Sequence, residues 1–388
     1  MKKESEAVME KETKQVEAPV RKTIPIQYPY MNEQSIQNVV EVMRSRWIGQ
    51  AEKVEEFEAM IKQQLKIPFP VTVNSGTAAV HLALDIAGVG PGDEVITTSL
   101  TCAATNHAIL MQYAKPVFAD VQYDTGNIDP EDIEHRITPK TKAVLVVHWA
   151  GYPCDMDEIN AIAKKHNLPV IEDAAHAMGA SYKGKPMGTI SDFTCFSLQA
   201  IKHITTGDGG ILCTNNIQDY QKGIRRRWFG IDRNHRIPSV LGHADYDIVE
   251  RGFKYHMNDI AAAIGLAQLP DLPKIVARRK AIARRYREEL ADVQGIKMME
   301  YKNDRDCSYW LFTMHVHRRE EFCRAMLERG VEVSVSHYRN DIYTIFGPRR
   351  KDLPNVDKID NDMMCIPIHA KLSDEDVTYV IDAIKKGW

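Results

Sequence analysis

The chain has no excess of charge of either sign and no cysteine spacing typical of secreted or metal-binding proteins. Its 388 residues include 50 Lys and Arg and 53 Asp and Glu, a formal net charge of -3. Such a balance excludes a global electrostatic field that would favour nucleic acid or an anionic membrane. The seven cysteines form no CxxC pair, and no His, Cys and Glu grouping has metal-ligand spacing. We therefore expect reduced thiols, no metal and a cytoplasmic location.

Long apolar runs are also missing from the sequence. No stretch approaches the ~20 apolar residues that a membrane span needs, and the basic and acidic N-terminus has no apolar segment of a signal peptide. We expect a flexible tail over residues 1–23, because Glu and Lys dominate it. The whole chain of 388 residues is 44% hydrophobic. This length and composition predict two coupled domains, a large one over 24–270 and a small one over 271–388.

Short β-branched runs alternate with helical stretches in the larger of these domains. This alternation predicts an α/β fold with a mostly parallel central sheet and helices on both faces. Ligands in such folds bind beyond the carboxyl ends of the strands. A basic helix from Lys274 to Leu290 would lead into a smaller C-terminal α+β domain. The clearest strand and helix pairs are Val71–Val73 with Thr77–Ile86, Glu94–Thr98 with Ala103–Met111, and Ala143–His148 with Met156–Lys165.

The first chemical motif is Asn74–Ala79, which follows a predicted strand and opens a helix. Its small residues would let backbone N–H groups and the helix dipole face an anion, and Thr77 adds a hydroxyl donor. This arrangement predicts a phosphate cradle. The alternative is an ordinary turn with a Ser or Thr N-cap.

The second motif is Val170–His176, a buried strand that ends in Glu172 and Asp173 and is followed by Ala174, Ala175 and His176. A carboxylate at a strand end can hold the proton on a pyridine nitrogen, and the charged ring then acts as an electron sink. The alternative is that Asp173 caps the next helix and His176 is a hydrogen-bonded core residue.

The third motif is Phe196–Gly210, which contains Lys202 followed by a run of small residues. A lysine in a partly desolvated pocket loses proton affinity and becomes a nucleophile toward an aldehyde. For an isolated lysine, a solvated helix face is the more ordinary interpretation. Together, however, a phosphate cradle, a ring-nitrogen carboxylate and a nucleophilic lysine meet the three needs of pyridoxal 5'-phosphate (PLP).

These motifs resemble those of the DegT/DnrJ/EryC1/StrS family of sugar aminotransferases, from about Ile24 to the C-terminus. The resemblance implies the aspartate-aminotransferase fold (PLP fold type I), with Lys202 holding the cofactor and acting as the base. It implies that Asp173 binds the ring nitrogen of the cofactor and that His176 is the third catalytic residue. Beyond these, the resemblance implies cofactor contacts from Gly76, Thr77, Cys102, Ala175, Ser197, Gln199 and Lys254, and substrate contacts from Arg227, His337 and Tyr338.

Three departures from the family pattern are visible. Cys102 stands where relatives usually carry an aromatic residue that stacks on the ring, so stacking is weaker or supplied elsewhere. Lys254 replaces a frequent Asn and could give the phosphate a cationic partner across a dimer interface. His337 and Tyr338 are followed by Arg339, Asn340 and Asp341 in a region that faces the sugar in relatives, which leaves the substrate open.

The resemblance implies transfer of the amino group of L-glutamate to C3 or C4 of a nucleotide-linked keto-deoxyhexose, for surface polysaccharide or antibiotic sugars. It also implies a homodimer with shared active sites, in which Arg227 and the Lys254 region reach the neighbouring subunit. One alternative is a sugar dehydratase of the same family that uses pyridoxamine phosphate, although such relatives carry histidine at the position of Lys202. Another is a non-catalytic regulator. The basic run at 225–227 is expected to be a solvated helix face rather than a nucleic-acid site.

Overall fold

The computed structural model describes residues 23–232 and 235–388 of the chain. The flexible tail predicted for residues 1–23 therefore lies outside the described part, apart from Thr23. The described residues build a central seven-stranded sheet and two three-stranded sheets.

The central sheet contains seven of the nine strands formed before residue 215. In chain order the nine strands are β1 (Phe69–Val73), β2 (Glu94–Thr98), β3 (Lys115–Ala119), β4 (Thr141–Val147), β5 (Val170–Asp173), β6 (Ser181–Tyr182), β7 (Lys185–Pro186), β8 (Phe193–Ser197) and β9 (Gly210–Thr214). The sheet order is β1-β9-β8-β5-β4-β2-β3. Only β9 runs antiparallel to its neighbours β1 and β8, so the predicted mostly parallel sheet is confirmed.

Helices cover both faces of this sheet. They are α1 (Glu33–Ser45), α2 (Glu52–Leu65), α3 (Gly76–Ile86), α4 (Ala103–Met111), α5 (Pro130–Arg136), α6 (Met156–Lys165), α7 (Ile217–Arg226) and α8 (Asp259–Gln268). Side chains alternate across a strand, so Val144 and Val146 of β4 pack in the core cluster that includes α2, whereas Ala143 and Leu145 pack in the one that includes α3. Both faces of β4 are apolar because both are covered.

The C-terminal residues form a second, smaller core. The C-terminal elements are α9 (Leu272–Glu289), β10 (Ile296–Met298), β11 (Arg305–Asp306), β12 (Phe312–Val316), α10 (Arg319–Glu328), α11 (Pro354–Asp362), β13 (Met363–Ile366) and α12 (Asp374–Lys385). Strands β10, β12 and β13 make an antiparallel sheet, and β11 pairs with β6. The predicted domain boundary near residue 270 falls in a short 3-10 turn, Leu269–Asp271. Ile24, predicted at the start of the large domain, packs instead in the C-terminal core and pairs with Val331.

Helices α8 and α9 form an almost continuous run of 31 residues, Asp259–Glu289. Its most apolar part is long enough to cross a membrane, which differs from the prediction that no stretch approaches that length. In the described fold, α8 packs against α1 and α2, and Leu269, Leu272 and Ile275 are buried in the core. Core helices of globular proteins meet the same length criterion, and packing accounts for the apolar residues of this run.

Candidate active site

A cavity of about 380 Å³ opens at the carboxyl edge of the central sheet. Strands β1, β4, β5 and β8 all run in the same direction and end at this edge, as expected for a ligand site in an open α/β sheet. Ten of the predicted site residues line the cavity: Gly76, Thr77, Cys102, Asp173, Ala175, His176, Ser197, Gln199, Lys202 and His337.

Asp173 is the last residue of β5, and its carboxylate is held on both oxygens. Thr105 donates its hydroxyl to Oδ2 at 2.7 Å, and the N–H of Ala175 donates to Oδ1 at 3.1 Å. The side chain is largely buried and no helix follows it directly, so Asp173 is not a helix cap. A charged oxygen fixed in this way can face a cationic group in the cavity.

Glu172, the second carboxylate of the motif, lies on the opposite face of the strand because successive side chains alternate. It is fully buried and pairs with the equally buried His148, with 2.8 Å between Oε2 and Nε2. The N–H of Ser191 and the hydroxyl of Thr194 donate to its other oxygen. Glu172 and His148 therefore belong to the core and take no part in the cavity.

The segment Asn74–Ala79, predicted to be a phosphate cradle, lies where β1 turns into α3. Ser75 is the N-cap of α3, and its hydroxyl accepts from the N–H of Ala78 at 3.0 Å. The N–H groups of the first helical residues, starting at Gly76, have no acceptor inside a helix. A Cβ on Gly76 would lie 2.9 Å from Cβ of Ser197, at the end of β8. Only glycine lets the two segments approach this closely.

Gly76→Ala is expected to weaken binding of PLP to the cofactor-free protein by about 10- to 100-fold. Overpacking of this kind costs about 1–3 kcal/mol, and each 1.4 kcal/mol is tenfold in affinity. An absorbance titration with PLP measures the change. Gly90→Ala is the matched control, since a Cβ there meets no atom within 4 Å. Equal affinities in both variants would show that the cradle does not depend on this contact.

Lys202 brings its amine into the cavity beneath an aromatic ring. The Nζ atom lies 3.5 Å from the ring centroid of Trp310, which is a cation–π distance. Trp310 is held in place by a 2.9 Å bond from its indole N–H to the carbonyl of Ile201. Burial lowers the pKa of Lys202 to about 8, an effect that Asp173 and Cys102 oppose and the charge of Arg279 reinforces.

This lowered pKa predicts the pH dependence of cofactor capture. The neutral amine is the nucleophile, so the rate at which cofactor-free protein takes up PLP should rise about tenfold per pH unit below pH 8 and level off above it. A lysine with its ordinary pKa of 10.5 would give a rate that still rises at pH 10. Stopped-flow absorbance from pH 6 to 10 distinguishes the two curves.

Two histidines share the aromatic wall around Trp310. The ring of His176 stacks on Trp310 with 3.8 Å between centroids, and His337 lies nearly parallel to Trp310 at 6.0 Å. Burial lowers the pKa of both histidines, that of His337 to about 4, and Lys202 adds to the effect. Both rings are therefore neutral. Nδ1 of His176 and Nε2 of His337 have no hydrogen-bond partner among the described residues, and they can bind a ligand.

Three predicted site residues lie outside this cavity. Arg227 is buried and donates to Glu58 and to the carbonyl of Thr72, so a role in substrate binding remains a prediction. Lys254 is exposed, and its Nζ lies over the rings of two neighbouring aromatic residues, 228 and 229. Tyr338 is 58% exposed and is not part of the cavity lining.

The basic run at 225–227 is not the solvated helix face that the sequence suggested. Arg225 and Arg226 both pair with Glu250, and Arg226 also pairs with Asp85. With Arg227 buried against Glu58, all three guanidinium groups are engaged with carboxylates of the same chain.

Two residues of the site were missed by the sequence analysis. Trp310 comes from the C-terminal part, and only the fold shows that it covers Lys202. Thr105 lies in the segment around Cys102, and its bond to Asp173 spans 68 positions. No local pattern marks either residue, although a Thr one turn into a helix after a small-residue loop is a possible hydrogen-bond donor.

The lining of the cavity fits a phosphorylated pyridine aldehyde. It offers an amine of lowered pKa, a fixed carboxylate, a helix N-terminus with the close contact of Gly76 and Ser197, and a ring nitrogen of His176 that has no partner among the described residues. These groups match the aldehyde, the ring nitrogen, the phosphate and the ring hydroxyl of PLP respectively. Among residues 23–232 and 235–388, no group of His, Cys, Asp or Glu could hold a metal ion.

Sequence comparisons identify the family of the chain. The model of the DegT/DnrJ/EryC1/StrS aminotransferase family matches residues 29–385. The spore coat polysaccharide biosynthesis protein SpsC of Bacillus subtilis is 36% identical over 375 residues, 93% of this chain and 96% of its own length. The UDP-4-amino-4-deoxy-L-arabinose--oxoglutarate aminotransferase of Shewanella sediminis is 34% identical over 380 residues, 94% of this chain and 97% of its own.

Solved structures of sugar aminotransferases share the fold of this chain. The sugar aminotransferase CalS13 from Micromonospora echinospora superposes with a TM-score of 0.90 at 34% identity, over 94% of this chain and 100% of its own. The PLP form of the putative sugar aminotransferase Spr1654 from Streptococcus pneumoniae gives a TM-score of 0.87 at 31% identity, over 94% and 98% of the two chains.

Proposed function

Because this chain belongs to the DegT/DnrJ/EryC1/StrS aminotransferase family and is a PLP-dependent sugar aminotransferase, we propose that it transfers the amino group of L-glutamate to a nucleotide-linked keto-deoxyhexose. The accepting carbon is C4 or C3 of the sugar. Two relatives support this proposal. The name of one joins a UDP-linked amino sugar with oxoglutarate, the keto acid that corresponds to L-glutamate, and the other serves spore coat polysaccharide biosynthesis.

The single observation that carries this proposal is the position of the Lys202 amine. It lies in the cavity at the sheet edge, 3.5 Å from the Trp310 ring, with a pKa lowered to about 8 by burial. A lysine with a pKa of about 8 is partly neutral near physiological pH, so it can bind an aldehyde and can also accept and return a proton. Retention of lysine here separates the chain from the dehydratases that it resembles.

The bound cofactor supplies an electron sink that carries the amino group between donor and acceptor. The chain's own residues orient it and move protons. Asp173, fixed by Thr105 and by the N–H of Ala175, would hold the proton on the ring nitrogen. Lys202 would carry the proton from one carbon to another, and the free nitrogen of His176 would accept from or donate to the ring hydroxyl.

Product analysis tests the proposed function. One addition of L-glutamate to the PLP-loaded enzyme should give one equivalent of 2-oxoglutarate per active site. Continued formation should require a keto-sugar nucleotide, and a matched pair of 3-keto and 4-keto sugars identifies the accepting carbon. Loss of a sugar hydroxyl without 2-oxoglutarate would identify a dehydratase. A protein that takes up no PLP at all would be a non-catalytic regulator.

The proposal includes a homodimer in which each subunit helps to complete the other's site. Several apolar side chains are exposed on the segment 237–249, where Ile237, Val240 and Leu241 are 66%, 103% and 88% exposed. Exposed apolar side chains concentrated on one segment favour a protein interface. The same segment continues to Lys254, whose carbonyl accepts from the side-chain amide of Asn74 beside the phosphate cradle. A partner that reached Lys254 would therefore lie beside Asn74, two residues before Gly76.

Val240→Asp combined with Leu241→Asp should shift the protein from dimer to monomer, because both charges would be buried in the interface. Analytical ultracentrifugation over a concentration series measures the shift. Leu327→Asp is the matched control, since Leu327 is 55% exposed on α10, far from this surface in the chain. A wild-type protein that is monomeric and fully active would contradict the proposed dimer.

We also place the reaction in the cytoplasm. All seven cysteines are free thiols, and five of them are buried. Free buried cysteines are typical of proteins from reducing compartments.

A further inference from the structure

A second cavity, of about 370 Å³, lies behind the segment that carries Lys202. It is formed where residues 28–31, helix α9 and residues 370–371 meet. Lys202 lines the active-site cavity, and the next residue, His203, lines this second one. Its volume is within the range of small-molecule sites.

Arg279 is the unusual residue in the lining of this cavity. It is only 2% exposed, and burial lowers its pKa to about 9. Its hydrogen bonds all leave from Nη1, to the carbonyls of Tyr309, Trp310 and Ile368 at 2.8–3.1 Å. Nε has no partner, and no carboxylate pairs with the guanidinium within the described parts of the chain. A buried charge without a counter-ion is costly.

Arg339 shows how this chain otherwise satisfies a buried guanidinium. It is 1% exposed, and its Nε and Nη2 donate side by side to the two oxygens of Asp341, both at 2.7 Å. The Nε–H and Nη2–H groups on this edge of an arginine point in parallel, so together they can donate two hydrogen bonds to two oxygens of one carboxylate or phosphate. The corresponding edge of Arg279 has no protein acceptor in the described chain, and Arg279 borders a cavity instead of an aspartate.

The rest of the lining also suits an anionic ligand. Lys371 adds a second cation at the exposed side of the cavity, and Tyr28 and Tyr30 supply an aromatic wall. His203 is 1% exposed; its Nε2 bonds to the carbonyl of Ser308, and its Nδ1 has no partner among the described residues. A hydroxyl on the ligand could donate to that nitrogen.

We propose that this cavity binds a small organic anion whose carboxylate or phosphate group is held by the Nε and Nη2 edge of Arg279. The site is distinct from the cofactor cavity but shares a wall with it. Arg279 holds the carbonyl of Trp310, whose ring covers the amine of Lys202. Burial is the main cause of the lowered pKa of Lys202, and the charge of Arg279 lowers it further. An anion bound to Arg279 would neutralise that charge. The ligand would thereby act on the reaction without touching the substrate.

Isothermal titration calorimetry on the PLP-loaded enzyme tests this site, with malate and inorganic phosphate as probes at fixed ionic strength. No turnover is needed, so the result is independent of the proposed transamination. At least one probe should bind with one site per chain. Arg279→Lys should weaken that binding at least tenfold, because lysine lacks the parallel Nε–H and Nη2–H groups. Lys385→Ala, an exposed lysine at the end of α12, should leave it unchanged.

Ala370→Leu provides a second test that leaves Arg279 in place. Ala370 is half-buried in the lining, and the larger side chain should fill the cavity and weaken binding at least tenfold. Ala370→Leu still tests binding in this cavity if circular dichroism shows that Arg279→Lys does not fold. Binding of malate alone would identify a carboxylate site, and binding of phosphate alone a phosphate site. Absence of saturable binding, or unchanged binding in the variants, would overturn the proposal.

Discussion

Replacing Lys202 with alanine is expected to remove the yellow colour of the PLP-loaded protein and to lower 2-oxoglutarate formation at least about 10⁴-fold. The amine has two tasks, holding the cofactor covalently and moving the proton, and general acid–base catalysis by itself contributes up to about 10⁴. Single-turnover assays with L-glutamate measure the rate. Borohydride reduction of the wild-type enzyme followed by peptide mapping should place the cofactor on the Lys202 peptide.

Two control variants separate chemistry from charge and from folding. Lys202→Arg keeps a cation beneath Trp310 but cannot bind the aldehyde or lose its proton near neutral pH, and it should be as inactive as the alanine variant. Lys164→Ala removes an exposed lysine on α6 and should retain full activity. Added ethylamine should restore part of the rate to Lys202→Ala, since the cavity would admit a free base. A borohydride label on another lysine would refute the assignment of Lys202.

The sequence predicted the local elements of the large domain closely. The helix expected over Thr77–Ile86 is present as α3, Gly76–Ile86, and the strand expected over Glu94–Thr98 is β2 with the same bounds. Such elements follow from side-chain periodicity and from capping residues such as Ser75, which are local properties. The sheet order could not be read from them. That β9 lies antiparallel between β1 and β8 depends on pairing between distant strands.

The site was predictable where one short segment supplies the chemistry. Asp173, Lys202 and Gly76 each lie in a motif whose residues fold next to one another, and all three line the cavity. Arg227 differs because its environment is set by Glu58, 169 positions away. Trp310 likewise meets the Lys202 segment across 109 positions. Contacts between residues so far apart in the chain produce no local pattern in the sequence. The sequence therefore predicts the reactive groups but not the residues that surround them.

The two adjacent carboxylates at the end of β5 provide the second large effect. Asp173→Asn should lower the rate of amino transfer about 10³-fold with a stability loss of about 1 kcal/mol or less, because a neutral amide cannot hold the ring proton. Glu172→Gln is the matched variant on the other face of the strand. It should keep a near-normal rate per folded molecule and lose roughly 2–4 kcal/mol of stability, because it leaves the fully buried His148 without its charged partner.

Urea unfolding and single-turnover rates on both variants measure these opposite effects. The contrast follows from geometry alone: one carboxylate lines the cavity and is held there by Thr105, whereas its neighbour is fully enclosed with His148. If both variants lost rate equally while remaining folded, Glu172 would have to act on the cofactor through His148 and the strand. If Asp173→Asn lost stability but kept its rate, the carboxylate at the cavity would be a structural group, and the electron sink would need another source of charge.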